Sequence, residues 1–412
     1  MSRAPRGVLM RVIFLLLVYL AVEAVSFSGL WILKRARGIV YFPKASTLAP
    51  EGIRNLDSLI AGVDGRLALD STLGWRRHRP QDVNAAGMRD NRGYTREPNP
   101  DTLRISAFGD SFTYGSDVPL GQNWAKRISA IAPHIEILNY GVGAYGLDQA
   151  YLRYRRDGTE YHPNIVLIGY MTENSARDVN VFRAFYGFPD FIFSKPRFKL
   201  DNDTLVLLPN PLRTLADYRR LRDNPETVLP ELGRNDNHFV DAYSAGPFDF
   251  SPSVRLGKLV IASIRNQPRA PILTADGRYE TRSEAYEVTL RIFDAFYRKA
   301  VEDGALPIIV VFPDLNDQMR SRAGQPRRYD PMLQYFRSRG YRFVDVLGAF
   351  KPVESRYTIN DLSVKYGHFS VLGNDLVARY ILERLTAWDL DQPLKAKSAA
   401  SLEARRLGIM RP

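Results

Sequence analysis

The chain has 412 residues, 45% hydrophobic and 25% charged, which is an ordinary globular balance and enough to bury a core as one large domain or two small ones. It contains no cysteine, so a disulfide framework and a thiolate metal site are excluded, and an oxidising compartment is compatible. The formal net charge is +12, but the arginines are scattered, with dense clusters only near the termini and around 320–328. No basic face with stacking aromatics is recognisable, which disfavours a nucleic-acid module. An anionic membrane surface is the better use of the charge.

In chain order, residues 12–33 form a mainly apolar run long enough to cross a bilayer. Its one acid, Glu23, would cost about 2–4 kcal/mol at mid-depth. Trp31 lies near its end and Lys34, Arg35 and Arg37 follow, as in an anchor. A single-pass anchor over 1–37, with the bulk of the chain outside the cytoplasm, is the expectation. A cleaved signal peptide and a buried core helix are the alternatives, and Arg3, Arg6 and Arg11 before the span nearly balance the charge after it. Residues 38–100, rich in Pro, Gly, Asn and Arg, read as an irregular lead-in packed at the domain edge.

From 101 the pattern becomes regular. Residues 104–108 read as a buried strand stopped by Gly109 and Asp110, so Ser111 falls where a strand ends and a helix begins. There it is either a nucleophile beside outward-pointing amides, which suit an oxyanion, or simply the cap of the next helix. Residues 124–131 read as an amphipathic helix and 135–139 as a second strand, ending in Gly141, Gly143 and Gly146. A helix follows at 147–155, then a third strand at 165–169 that continues to Asn174. Strands alternating with helices imply a parallel sheet with its ligand site at the strands' carboxyl ends, and Ser111, Gly143 and Asn174 follow three such ends.

Residues 180–280 break the alternation and read as an insertion over the site, between the third and fourth strands. Its aromatics, including Phe182, Phe185, Tyr186 and Phe188, would line a cleft for a sugar or acyl chain, or else form the insertion's own small core. Order returns with a helix at 283–302, a fourth strand at 307–312, a helix near 331–339 and a fifth strand at 341–347. Ser370 is placed to cap a last helix running to about 385. The basic, Ala-rich tail over 388–412 carries no readable role.

Together, Gly109-Asp110-Ser111, the Asn139-x-Gly141 block, Asn174, and His368-x-Ser370-x-x-Gly373 resemble the serial blocks of the SGNH (GDSL) hydrolases, over residues 101–178 and 305–385. The resemblance implies a three-layer α/β/α sandwich over 101–387 and a serine esterase mechanism without a cofactor. In that mechanism a base takes the proton of the Ser111 hydroxyl as it attacks. Of the five histidines, His368 alone lies in a loop leading to the final helix, as the resemblance requires. The donors it implies for the carbonyl oxygen are the Ser111 amide, an amide of the Gly143-Ala144 turn and the Asn174 side chain.

The chain departs from the family pattern twice. Ala144 stands at the oxyanion glycine; its amide serves unless the turn demands positive φ, so Gly143 stays as the alternative. Lys365 stands three residues before His368, where the family has an aspartate. Asp361 is then the nearest upstream acid, and without it a backbone carbonyl would orient the ring in a Ser–His dyad. Glu173, Arg177 and Asp178 flank Asn174, either shaping the pocket or forming surface ion pairs. No His or acidic cluster has metal-ligand spacing, and no phosphate loop is present.

The expected activity is a membrane-anchored esterase acting on O-acyl, above all O-acetyl, groups of cell-envelope glycans, possible partners being envelope polysaccharide machinery. An O-acetyltransferase passing the same acyl-serine to a sugar, a lipid esterase, and a non-catalytic glycan-binding or assembly protein are the alternatives, the last favoured by the missing aspartate.

Overall fold

The computed structural model describes residues 4–37, 48–63, 65, 67–78, 81–239, 246–265, 271–364 and 367–409. Lys365, three residues before His368, lies outside them, as does the end of the basic tail.

Among the described residues the nine strands are β1 (Leu67–Asp70), β2 (Gly74–Arg77), β3 (Leu103–Phe108), β4 (Ile135–Asn139), β5 (Ile165–Met171), β6 (Arg197–Asp201), β7 (Thr204–Leu208), β8 (Leu306–Phe312) and β9 (Phe343–Asp345). Five of them form the central sheet, ordered β4-β3-β5-β8-β9, and all its pairings are parallel. Ile105 pairs with Ile137 on one side and Ile165 on the other. Parallel strands must be covered on both faces, so β3, β5 and β8 are buried along their whole length.

Alternation along the strands sorts their side chains into two cores. Phe108, Leu138, Ile168 and Val311 face helices Leu147–Asp157, Glu284–Glu302 and Asp330–Ser338. Ile105, Ile137, Leu167 and Val310 face helices Trp124–Ile131 and Val371–Ala387. The molecule is thus a three-layer α/β/α sandwich, wound outward in both directions from β3. The Ala-rich tail is also ordered, as helix Pro393–Arg406, with Ala396, Ala400 and Ala404 buried at the four-residue spacing of one helix face.

The lead-in is less irregular than its composition implies. It contains helix Pro50–Ile60 and the antiparallel hairpin β1–β2, with Trp75 fully buried. The insertion holds the antiparallel hairpin β6–β7 and helices Leu215–Asp223, Pro225–Gly233 and Pro252–Arg265. Phe182, Phe185, Phe193, Phe198 and Tyr218 are buried and continuous with the first core. These rings therefore pack as core, and only Phe188 of the aromatic run is exposed.

One helix among the described residues, Ala4–Arg37, is long and apolar enough to cross a membrane. Most of its apolar side chains, such as Phe14, Leu15 and Phe27, are exposed.

Candidate active site

Ser111 begins a single helical turn, Ser111–Tyr114, just beyond the carboxyl end of β3. Asp110 caps it, its carboxylate accepting the Phe112 N–H at 2.8 Å. Two glycines allow the turn to sit down on the sheet. A Cβ at Gly109 would fall 2.7 Å from the Gly169 carbonyl oxygen, and one at Gly141 would fall 2.3 Å from the Tyr114 nitrogen. After Gly115 the chain reverses through Asp117, which holds φ at +65°. Aspartate tolerates that left-handed conformation better than most residues.

His368 projects from a tight turn across Ser363 and Phe369, which form a β-bridge. The Val364 N–H donates to the His368 carbonyl at 2.7 Å, and Gly367 supplies positive φ. Ser370 caps the following helix, accepting the Gly373 N–H at 3.1 Å. The ring lies edge-on to Phe112, with centroids 5.2 Å apart.

These turns bring an alcohol, an imidazole and a carboxylate into one line. Ser111 Oγ is 2.8 Å from His368 Nε2, and Asp117 Oδ2 is 2.5 Å from His368 Nδ1. Ser111 is buried, while Asp117 keeps about half of its side chain in solvent. Three other histidines serve elsewhere: His134 Nε2 lies 3.0 Å from the Asp391 carbonyl, and His238 Nε2 lies 2.8 Å from that of Ala176. His162 is beside Glu97 on the surface.

The upstream acid expected from the sequence is not there. Asp361 turns its carboxylate onto the main-chain N–H and hydroxyl of Thr358, both at 2.8 Å, and caps the short helix Ile359–Leu362. Those hydrogen bonds hold its carboxyl below the usual aspartate range. Asp117 takes the position on the ring, which also displaces the alternative of a backbone carbonyl there. No spacing in the sequence ties Asp117 to His368, 251 positions away. The available signal was an acid between Gly115 and Pro119, in the turn leaving the nucleophile.

That turn is clamped from the lead-in. The buried Arg89 guanidinium donates to the carbonyls of Tyr114 (2.8 Å), Gly115 and Val118 (2.7 Å), and it stacks 4.1 Å from the Tyr114 ring centroid. Burial lowers its affinity for its proton.

The turn after β4 does demand a left-handed residue, and Ala144 supplies it at φ +68°. An alanine there costs about 1–2 kcal/mol relative to an ordinary conformation. The hairpin β1–β2 holds the turn: Trp75 Nε1 donates to the Gly143 carbonyl at 3.0 Å, and the Tyr145 hydroxyl donates to the Trp75 carbonyl at 2.6 Å. The Arg77 guanidinium lies against Gly143 and 4.5 Å from the Tyr114 ring centroid. Beside it runs a groove of about 670 Å³ lined by Arg76, Arg77, His78, Asn84 and Tyr94.

Asn174 opens helix Asn174–Asp178 beyond the end of β5 and is fully buried. Burial raises the Asp110 carboxyl above the usual aspartate range, opposed mainly by Arg177 and in smaller part by the Asn174 amide, which lies against it. Neither polar atom of the amide has a well-formed hydrogen bond among the described residues. A buried amide in that state has donors to spare.

The charged residues around Asn174 are not surface ion pairs. Arg177 is buried between Glu173 (3.2 Å) and Asp110 (3.5 Å) and donates to the Tyr145 carbonyl at 3.2 Å. Asp178 is fully buried and accepts the Thr289 hydroxyl at 2.7 Å and the Asp148 N–H at 3.2 Å. Among the described residues no group of three or more His, Asp or Glu side chains is placed to hold a metal ion.

No family model matches the chain, and no curated protein matches it. It is similar to several solved structures. A member of the lipolytic G-D-S-L family from Veillonella parvula is 12% identical with a TM-score of 0.33, over 69% of this chain and 98% of that one. A catalytic mutant of an acetylxylan esterase from Geobacillus stearothermophilus is 15% identical with a TM-score of 0.35, over 70% of this chain and 95% of that one. A two-domain esterase active on acetylated mannans is 12% identical with a TM-score of 0.32, over 73% of this chain and 51% of that one. At such low identity, the chemistry of the site rests on the residues described above.

Proposed function

We propose that this chain is a membrane-anchored serine esterase of the SGNH type, cleaving O-acyl groups through an acyl-serine intermediate. The observation that carries the reading is the unbroken line from Ser111 Oγ through His368 to Asp117. His368 Nε2 takes the hydroxyl proton as Oγ attacks the ester carbonyl. Asp117 fixes the ring so that Nε2 faces the serine, and it steadies the imidazolium that forms. The charge gathering on the carbonyl oxygen is met by the Ser111 amide, an amide of the Gly143-Ala144 turn and the Asn174 side chain, each donor contributing about 3–4 kcal/mol. His368 then returns the proton to the departing alcohol, and a water deprotonated by the same nitrogen releases the acid.

The substrate proposed is an O-acetylated cell-envelope glycan. Its support is the apolar N-terminal helix, which would hold the domain at an envelope surface, and the family resemblance of the blocks. The groove that Arg77 lines, with Arg77 itself against Gly143, is the polar place proposed for the sugar part. Transfer of the acyl group to a second sugar hydroxyl is the nearest alternative, since it differs only in what attacks the acyl-serine. A non-catalytic protein is less well supported now that an acid lies on His368.

Product analysis of the full chain on an acetylated glycan, with and without an unacetylated oligosaccharide acceptor, tests this reading. Free acetate at the same rate in both conditions is the expected result, lost in Ser111→Ala. Acetate appearing only on the acceptor would replace the esterase with a transferase, and no turnover in either condition would overturn both.

A further inference from the structure

The one acid of the apolar N-terminal helix is not left to solvent or hydrocarbon. Glu23 accepts the Ser251 hydroxyl at 2.7 Å, the Ser253 hydroxyl at 2.6 Å and the Ser253 N–H at 3.1 Å. All three donors sit at the start of helix Pro252–Arg265, in the insertion between β5 and β8. The two helices pack together, and a Cβ on Gly29 would lie 3.5 Å from Leu256. On the N-terminal helix, Glu23, Ser26, Gly29, Leu30 and Leu33 are the positions less exposed than their neighbours. That three- and four-residue spacing, with small residues in it, is a helix-packing seam.

The contacts also fix direction. Ser253 meets Glu23 and Leu256 meets Gly29, so both helices run the same way. Glu23 lies near the middle of the span Gly7–Ala36. From that level the 14 residues of Pro252–Arg265 rise roughly 21 Å, enough to reach the end of the span.

The face turned away from the seam is apolar and bare. Phe248 and Phe250 in the preceding turn are 64% and 70% exposed, and Val260 and Ile261 on the helix are 50% and 49% exposed. Three charges of the segment are gathered together: Asp249 takes Arg255 on its carbonyl, and Lys258 and the Gly246 N–H on its carboxylate. Internal satisfaction of polar groups is what a hydrocarbon environment requires.

We propose that residues 246–265 are embedded in the same bilayer as the N-terminal helix, entering one leaflet beside it to the depth of Glu23. The occupant of the bare face is lipid acyl chain. This rests on the reading of the N-terminal helix as a membrane span. The insertion then acts as a second membrane contact, holding the catalytic domain against the bilayer rather than letting it swing on a single helix.

The absence of native cysteine allows a direct test. Full chains bearing one cysteine each, in place of Phe250, Ile261, Leu16 or Val206, are labelled with bimane in phosphatidylcholine–phosphatidylglycerol vesicles. Each is quenched in turn by nitroxide on the lipid acyl chains and by iodide in the water. The labels at 250 and 261 are expected to lose fluorescence to the lipid nitroxide and not to iodide, as at 16 in the N-terminal helix. The label at 206, on the exposed hairpin β6–β7, is expected to do the reverse. If 250 and 261 follow 206 while 16 follows the lipid, the embedded segment is wrong and the anchor stands. If 16 itself answers to iodide, the anchor fails and the proposal fails with it.

Discussion

Asp117→Asn is expected to lower kcat for ester hydrolysis by about 10²–10⁴-fold with little change in KM, because an amide can hold the imidazole in the wrong tautomer and cannot stabilise its charge. The half-solvated setting of Asp117 favours the lower end of that range. Asp361→Asn is the paired measurement. It should leave kcat within about twofold, its only effect being a weakened cap on the helix Ile359–Leu362. Steady-state kinetics on both variants separate the two acids. A large kcat loss in Asp361→Asn with none in Asp117→Asn would restore the upstream acid.

Lys195→Met should produce the largest loss of stability, about 3–5 kcal/mol, because it strands a buried carboxylate. Lys195 is fully buried, pairs with the fully buried Asp148 and donates to the Pro196 carbonyl at 3.1 Å. Burial raises the Asp148 carboxyl and lowers the Lys195 ammonium. Asp178, touching the same cluster, is pushed up to about 7, first by burial and then by the Asp148 charge.

A carboxyl raised in the folded state gives stability that is fully present below its unfolded value, about 4, and is lost as pH rises through its folded value. Asp178 therefore contributes a decline in stability from about pH 4 to pH 7. In Lys195→Met the deficit should be largest above pH 7 and shrink in acid, where Asp148 can take a proton. Lys195→Met combined with Asp148→Asn should recover much of the loss. Urea denaturation of the three proteins at pH 5 and pH 8 measures all of this, and a deficit independent of pH would contradict it.

The sheet was legible because burial on both faces writes continuous apolar runs. Residues 135–139 and 124–131 coincide with β4 and its neighbouring helix. Ser111, His368 and Asn174 were locatable because each follows a strand or precedes the helix Val371–Ala387. The fifth strand is shorter than the apolar run over 341–347 implies: the structure keeps only Phe343–Asp345, and Tyr341 is drawn to Asp294 instead. Asp117 was not legible, because a carboxylate in a loop has no periodicity and its meeting with His368 spans 251 positions. The hairpin behind the Gly143-Ala144 turn was hidden for a similar reason. Its grip comes through Trp75 and Arg77, single side chains in a segment whose composition reads as loop.

The central claim is that the Ser111 hydroxyl is activated for attack by His368. Its most direct test is intact-mass and peptide analysis of the full chain after exposure to a fluorophosphonate. The account predicts one adduct, on the peptide containing Ser111, absent in Ser111→Ala and formed far more slowly in Asp117→Asn. A folded protein that takes up no adduct, or takes it up at another serine, would contradict it.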